Sequence, residues 1–304
     1  MKAMKLVAVG LLVAASTASG STSLDDVVAA NYPAVLSEAA TQHHYTETRQ
    51  QGFVAVTISG KSYIVAAYSN GHVGAVELLE GSATGAAPLQ VISDHHVGSG
   101  PNVSARDLDG DSQPEFIVNF GLGPRGGSET WIYRVVNGRL ALVSPTDAHG
   151  NSALGYPDIV DFGGGMLELV DRENVGTRQE PVLVYSHYAL AQGGFVAAAP
   201  LDFYQVFYRA KGAPKTETLS FAMPKLAPGQ KFRLAVLNGG PLGKDSRVAS
   251  GTITLNGVVI SPPADFSESR STWTVPITLQ EQNALTVRLD GKPSTRIGIA
   301  IRHD

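Results

Sequence analysis

The chain has 304 residues, 43% of them hydrophobic and 16% charged, with a formal net charge of −4 and no cysteine. Its length suggests two domains, and its hydrophobic share together with 33 Gly and 17 Pro suits a turn-rich β protein with packed cores. The absence of cysteine excludes disulfide staples and a lipid-modified N-terminal cysteine, and no basic patch is dense enough for nucleic acid.

Residues 1–20 read as a signal peptide. Lys2 and Lys5 form a basic start, Leu6 to Ala15 an apolar run, and Ser16-Thr17-Ala18 and Ala18-Ser19-Gly20 offer small-residue cleavage sites. The run is too short to cross about 30 Å of hydrocarbon. The expected mature protein begins between Ser19 and Ser21 and is exported, to the periplasm, the medium or the cell surface. Removal of Lys2 and Lys5 from the 23 basic residues leaves 21 against 27 acids, a net charge of −6. No later stretch is apolar enough for a membrane span.

Residues 21–51 form an N-terminal helical segment. Ser23 followed by Asp25 and Asp26 is a helix start, with acids in the first turn. Pro33 interrupts the apolar face of Val27, Val28, Ala30, Tyr32, Val35 and Leu36, so the pattern predicts a broken helix or two short ones.

From Gly52 the pattern changes to short strands separated by Gly and Asn-Gly turns. Three segments align on Val65, Val118 and Val170, which are 53 and 52 residues apart. Such a period points to blade-like repeats over 52–209. The second copy continues through Thr130–Val135 and Arg139–Val143 around Asn137-Gly138, and the third through Val182–Tyr185 and Phe195-Val196. Three blades fall short of the roughly four to eight that close a propeller. An open arc, a propeller fragment and a stack of separate sheets all remain compatible with the sequence.

The second copy alone carries a dense acidic loop, Asp107-Leu108-Asp109-Gly110-Asp111-Ser112-Gln113-Pro114-Glu115, which runs into Phe116-Ile117-Val118. Acids fall at loop positions 1, 3, 5 and 9, and Gln113 at position 7 can offer its carbonyl. Hard oxygen donors at this spacing suit calcium, which takes about six to eight oxygens. Without a cation, these carboxylates repel one another. An EF-hand needs Gly at position 6 and Glu at position 12, where this chain has Ser112 and Val118.

The run instead resembles the FG-GAP/VCBS repeat, whose D-x-D-G-D-x-x-x-[DE] signature opens a strand of a propeller blade. Phe120-Gly121-Leu122-Gly123 stands where an integrin-type blade shows Gly-Ala-Pro, which favours the bacterial VCBS-like form. The resemblance implies one structural calcium per chain, held by Asp107, Asp109, Asp111, Gln113 and Glu115. The first copy has Val54, Val56 and Ile58 at the positions of the first three acids, and the third keeps only Asp161.

Residues 210–216, Ala-Lys-Gly-Ala-Pro-Lys-Thr, read as a linker. Over 217–304, apolar residues alternate in Phe232/Leu234/Val236, Leu285/Val287/Leu289 and Ile297/Ile299/Ile301, a pattern that puts one face in a core and the other in water. Turn signals recur at Ala227-Pro228-Gly229, Asn238-Gly239-Gly240, Asn256-Gly257 and Asp290-Gly291. The spacing predicts an antiparallel β-sandwich, loosely similar to C-terminal modules of secreted bacterial proteins.

Other constellations carry less. Adjacent strand residues point to opposite faces, so His43-His44 and His95-His96 are poor chelating pairs. Gly110-Asp111-Ser112 imitates an esterase motif, yet the aspartate suits a cation better. Asp158, Asp161 and Glu168 are the acids a paired-carboxylate glycosidase would draw on. Trp131 and Tyr133 are core residues, or stack on sugars if exposed.

The fold expectation is therefore all-β: degenerate propeller-like repeats and then a sandwich, behind a short N-terminal helix. The functional expectation is a secreted or surface-associated, non-enzymatic binding or adhesion module with a protein or glycan ligand. The alternative is an accessory or catalytic component of a carbohydrate-acting extracellular system.

Overall fold

The computed structural model describes residues 23–303 except 97–98, 122–127, 148–149, 156, 163–166, 175–182, 192–193, 200, 224–225 and 240–246. The expected signal segment and the glycine-rich loop after Gly121 lie outside the described residues. Helices α1 (Leu24–Ala30) and α2 (Ala34–Gln42) flank Pro33. Ser23 caps α1 through a reciprocal pair, its hydroxyl accepting from Asp26 N–H while the Asp26 carboxylate accepts from Ser23 N–H.

Three antiparallel meanders follow. The first comprises β1 (Gln50–Ile58), β2 (Lys61–Ser69), β3 (Val73–Ser82) and β4 (Gly85–His96). The second comprises β5 (Ser99–Arg106), β6 (Glu115–Gly121), β7 (Ser128–Val136) and β8 (Arg139–Leu142). The third comprises β9 (Asp158–Asp161), β10 (Leu167–Asn174), β11 (Leu183–Ala191) and β12 (Gly194–Ala197). Each pairs its strands in sequence order, so every sheet is a blade-like unit. Val65, Val118 and Val170 fall on β2, β6 and β10, the second strand of each sheet. Left-handed turn pairs match the twist of the flanking strands: Ser59-Gly60 joins β1 to β2 and Asn137-Gly138 joins β7 to β8, all four residues with positive φ.

The three sheets stack face to face because their central strands are apolar on both sides. Phe116, Val118 and Phe120 of β6 pack with Val65, Ala67, Val76 and Leu78 of the first sheet. Ile117, between them on β6, points the other way and packs with Ile159, Leu167 and Leu169 of the third. The first and second sheets approach closely at Gly52, where a side-chain Cβ would lie 2.5 Å from the Pro101 carbonyl oxygen.

The stack does not need to close, because both of its ends are covered. Val27, Val28 and Leu36 of the helices seal Ile64, Ala66, Tyr68 and Leu79 on the outer face of the first sheet. Tyr68 donates its hydroxyl proton to the Val28 carbonyl, and Asn70 donates to the Leu36 carbonyl. At the other end, Val160, Phe162 and Val170 of the third sheet meet Ala235, Leu237 and Ala300 of the C-terminal region.

That C-terminal region contains two four-stranded sheets around one shared core. One has the order β13 (Phe203–Arg209), β20 (Thr295–His303), β15 (Phe232–Asn238), β18 (Thr272–Ile277). The other has the order β14 (Thr216–Ala222), β19 (Gln282–Asp290), β16 (Ser250–Leu255), β17 (Val258–Ser261).

Two sequence expectations change here. Strand β13, assigned by sequence to the repeats, pairs along its whole length with β20, from Phe203↔Ile301 to Arg209↔Thr295. Residues 210–216 therefore join two sheets of one unit. The alternation on β15 and β20 also does not leave a wet face, since Ala235, Leu237 and Ala300 are buried against the third blade.

Candidate functional site

The acidic loop bridges β5 and β6 and is held in shape by its own carboxylates. Asp107 accepts from Gly110 N–H at 2.7 Å and from Ser112 N–H at 2.9 Å. Asp109 accepts from Asp111 N–H at 3.1 Å, and Asp111 from Gln113 N–H at 2.7 Å. Gly110 and Ser112 both take positive φ, at 79° and 70°. Glycine is unstrained there, whereas serine adopts this region rarely.

Carboxylate oxygens of Asp107, Asp109 and Glu115 lie within 4.8 Å of one another. Asp111 is exposed and outside this cluster, and Gln113 is exposed as well. Glu115 is fully buried and accepts from Leu108 N–H at 2.7 Å. Leu108 itself is buried between the second and third sheets, which anchors the loop to the stack.

A residue that sequence reasoning passed over completes the cluster. Arg134, on β7 opposite Glu115, donates Nε–H to Glu115 at 2.8 Å. Its Nη2 pairs with both Asp109 and Glu115. The signal available in the sequence was an arginine inside an otherwise apolar strand, Trp131-Ile132-Tyr133-Arg134-Val135.

Burial opposes the charged form of Asp109, but Arg134 and the Asp111 amide outweigh it and hold the carboxyl below its ordinary value. Burial dominates at Glu115 and raises its pKa despite the Leu108 amide and Arg134. Burial likewise opposes the charge on Arg134, yet Glu115 and Asp109 raise its pKa.

The loop carries four carboxylates, Asp107, Asp109, Asp111 and Glu115, and Arg134 pairs with two of them, Asp109 and Glu115. Three negative charges remain uncompensated, so the donor set fits a divalent cation in addition to Arg134. The cation would be held first by Asp107, Asp109 and Glu115, where it would neutralise charge in a partly buried loop.

The other candidate residues have structural partners. Asp158 is buried and pairs with Arg296 and the Tyr204 hydroxyl across the interface between the third blade and the C-terminal unit. Glu168 pairs with His187 at 2.6 Å and with Arg302 at the same interface. Burial opposes the charge on Glu168, but these two partners lower its pKa, the wrong direction for a general acid. Ser112 is exposed and its amide serves Asp107. Exposed His43 stacks on Tyr45 with ring centroids 6.4 Å apart. Trp131 and Tyr133 are buried in the core between the first two sheets, which excludes sugar stacking by either ring.

No protein-family model matches the chain, and no curated protein matches it. Among solved structures, the chain is similar to the exo-β-1,3-galactanase from Phanerochaete chrysosporium with galactose. The identity is 12%, over 83% of this chain and 68% of that one, with a TM-score of 0.24. A glutamate-to-glutamine variant of the same enzyme with β-1,3-galactotriose gives 12% identity, the same coverages and a TM-score of 0.23. At these values no residue correspondence is carried across. The sequence expectation of a non-enzymatic adhesion module is corrected to this extent: these two solved structures are galactanases. Among the described residues, no helix is long and apolar enough to cross a membrane.

Proposed function

We propose that this chain is an exported, calcium-stabilised component, accessory or catalytic, of a carbohydrate-acting extracellular system. The convergence of Asp107, Asp109 and buried Glu115 within 4.8 Å carries the calcium part of this reading. Asp111 and the Gln113 carbonyl are assigned as further ligands, and recruiting Asp111 exchanges its bond from Gln113 N–H for the ion. We read the three meanders as degenerate VCBS-like blades of an unclosed propeller, and the C-terminal pair of sheets as a β-sandwich. The ion fixes the β5–β6 connection, and with it the edge of the middle blade.

Arg134 changes what the loop substitutions should do. Without calcium, Asp109→Ala removes a partner of Arg134 and lowers stability, whereas Asp111→Ala relieves repulsion at an exposed carboxylate. With calcium both variants lose stabilisation, by about 1–3 kcal/mol. Thermal melts of the three proteins in calcium and in chelator, with titration calorimetry for stoichiometry, test this. One ion per chain and a calcium-dependent melt are expected, and a wild-type melt identical in both conditions would refute the calcium site. A polysaccharide panel assayed for binding and for turnover, with and without calcium, tests the carbohydrate reading independently. Silence across the panel from folded, calcium-loaded protein would refute it.

A further inference from the structure

Glu77 lies mid-strand on β3, opposite Ala66 on β2 and Val91 on β4, and is only 2% exposed. By strand alternation it shares with Ala75 and Leu79 the face that α1 and α2 cover. Its Oε2 is out of contact with solvent. The buried hydroxyl of Tyr68 stands beside it, hydrogen-bonded to the Glu77 carboxyl and, at 3.1 Å, to the Val28 carbonyl on α1.

A phenol has one proton to give and otherwise accepts. The Tyr68 proton goes to Val28. The bond between Tyr68 and Glu77 therefore runs the other way, from a protonated carboxyl to the phenol oxygen. An ionised Glu77 has no such proton. It either sets a carboxylate against the phenol lone pairs or takes the Tyr68 proton, which unties Val28 from the sheet. Burial and Glu77 hold the Tyr68 phenol well above its ordinary pKa, so it keeps its proton throughout.

Tyr68 is the titratable side chain that faces Glu77 from β2, and β4 presents Val91. No lysine, arginine or histidine lines the depression between β4 and the α1–α2 connection among the described residues. From that connection Tyr32 meets the Tyr68 ring edge-on at 5.6 Å. Arg49 lies over the Tyr32 ring at 4.5 Å and pairs with Glu47 at 3.2 Å. The helices' own acids, Asp25, Asp26 and Glu38, are exposed. Nothing among these groups offsets a charge on Glu77.

We propose that Glu77 is a pH-operated latch for the helical cover: its protonated carboxyl, acting through Tyr68, holds α1 on the first sheet, and its ionisation releases α1 and bares the apolar face beneath. Burial pushes the Glu77 carboxyl up to about 7, with Tyr68 acting more weakly in the other direction. The docked state holds the extra proton. The latch is therefore closed below the ordinary 4.5, weakens about tenfold per pH unit above it, and levels off above about 7. Asn70 still donates to the Leu36 carbonyl on α2, so α1 is the part that opens. The latch is on the opposite side of the first sheet from the second blade and draws on neither the acidic loop nor the carbohydrate reading.

Hydrogen exchange on the full mature chain in constant calcium, corrected for intrinsic rates, reads the latch between pH about 5 and about 8. Wild-type α1 amides should lose protection at least roughly tenfold over this span, while β6 and β20 amides keep theirs. Glu77→Gln, whose neutral amide can still donate to Tyr68, should hold α1 protection level across the span. Tyr68→Phe, which removes the tether, should lower α1 protection already at the acid end. Circular dichroism melts establish that each variant is folded. Equal α1 protection at both ends of the span in wild type overturns the proposal without any variant. A parallel loss in β6 and β20, a Glu77→Gln profile matching wild type, or unchanged α1 protection at the acid end in Tyr68→Phe would each overturn it as well.

Discussion

Glu168 and His187 form a pair whose two halves titrate in different windows. Burial works against the charge on His187, but Glu168 and the Ala199 carbonyl raise its pKa above the ordinary 6.5. Its stabilising contribution is therefore complete below pH 6.5 and is lost as pH rises through the folded value. For Glu168 the pKa lies below the ordinary 4.5, so its contribution is present above pH 4.5 and is lost as pH falls through the lower folded value. Together they define a plateau between 4.5 and 6.5. Urea unfolding at pH about 5.5 should show wild type more stable than His187→Gln by about 1.5–3 kcal/mol. At pH about 9 the gap should be much smaller. A gap independent of pH would mean that His187 acts only through packing. Arg302 stays on Glu168 in the variant, so the glutamate is not orphaned by this substitution.

At the scale of the element, β13 decides where the C-terminal unit begins. It places Val206 and Phe207 among buried residues and satisfies one edge of β20. A fragment covering 202–304 should show a cooperative thermal transition. A fragment covering 217–304 should melt at lower temperature or not cooperatively, having lost that strand. Equal melting of the two would return the boundary to 217.

The same strand shows what the sequence made legible. Local signals were readable: the acids at 107–115, the helix start at Ser23 and the Asn137-Gly138 turn all report on chain within a few residues, and the valines at 65, 118 and 170 report a period. Arg134 reaches Asp109 and Glu115 from 25 and 19 residues away, and Arg296 and Arg302 reach Asp158 and Glu168 from 138 and 134 residues away. Strand periodicity gives the face of each residue but not the partner strand. The charge pairs and the β13–β20 pairing are therefore invisible to it. Asn238 is a further instance. Its Asn-Gly-Gly context reads only as a turn, yet its buried side chain accepts from Val248 N–H and donates to the carbonyls of Val248, Ser267 and Arg270.

For the whole molecule, stability depends on what covers the two ends of the blade stack. Val27, Val28 and Leu36 are fully or almost fully buried on the first sheet, and each contributes about 1.5–3 kcal/mol by burial. Deleting residues 23–46 should bare Ile64, Ala66, Tyr68 and Leu79. The shortened protein should bind a hydrophobic dye, scatter light at concentrations where the full chain stays clear, and melt lower by more than about 10 °C. A monomeric, dye-silent product with an unchanged melt would show that the helices are accessory.

The covers also constrain how such an architecture can lengthen over generations. Among the described residues, only the middle blade, β5–β8, has another blade on each face and repeats the environment it would offer a copy of itself. A duplicated blade inserted beside it would find two compatible apolar surfaces, and the existing ends would still be sealed. A blade appended outside α1 and α2, or beyond the C-terminal sheets, would meet a surface already committed to water and would need a new cover. Growth from within, by tandem copying of the middle unit, is the route this fold leaves open.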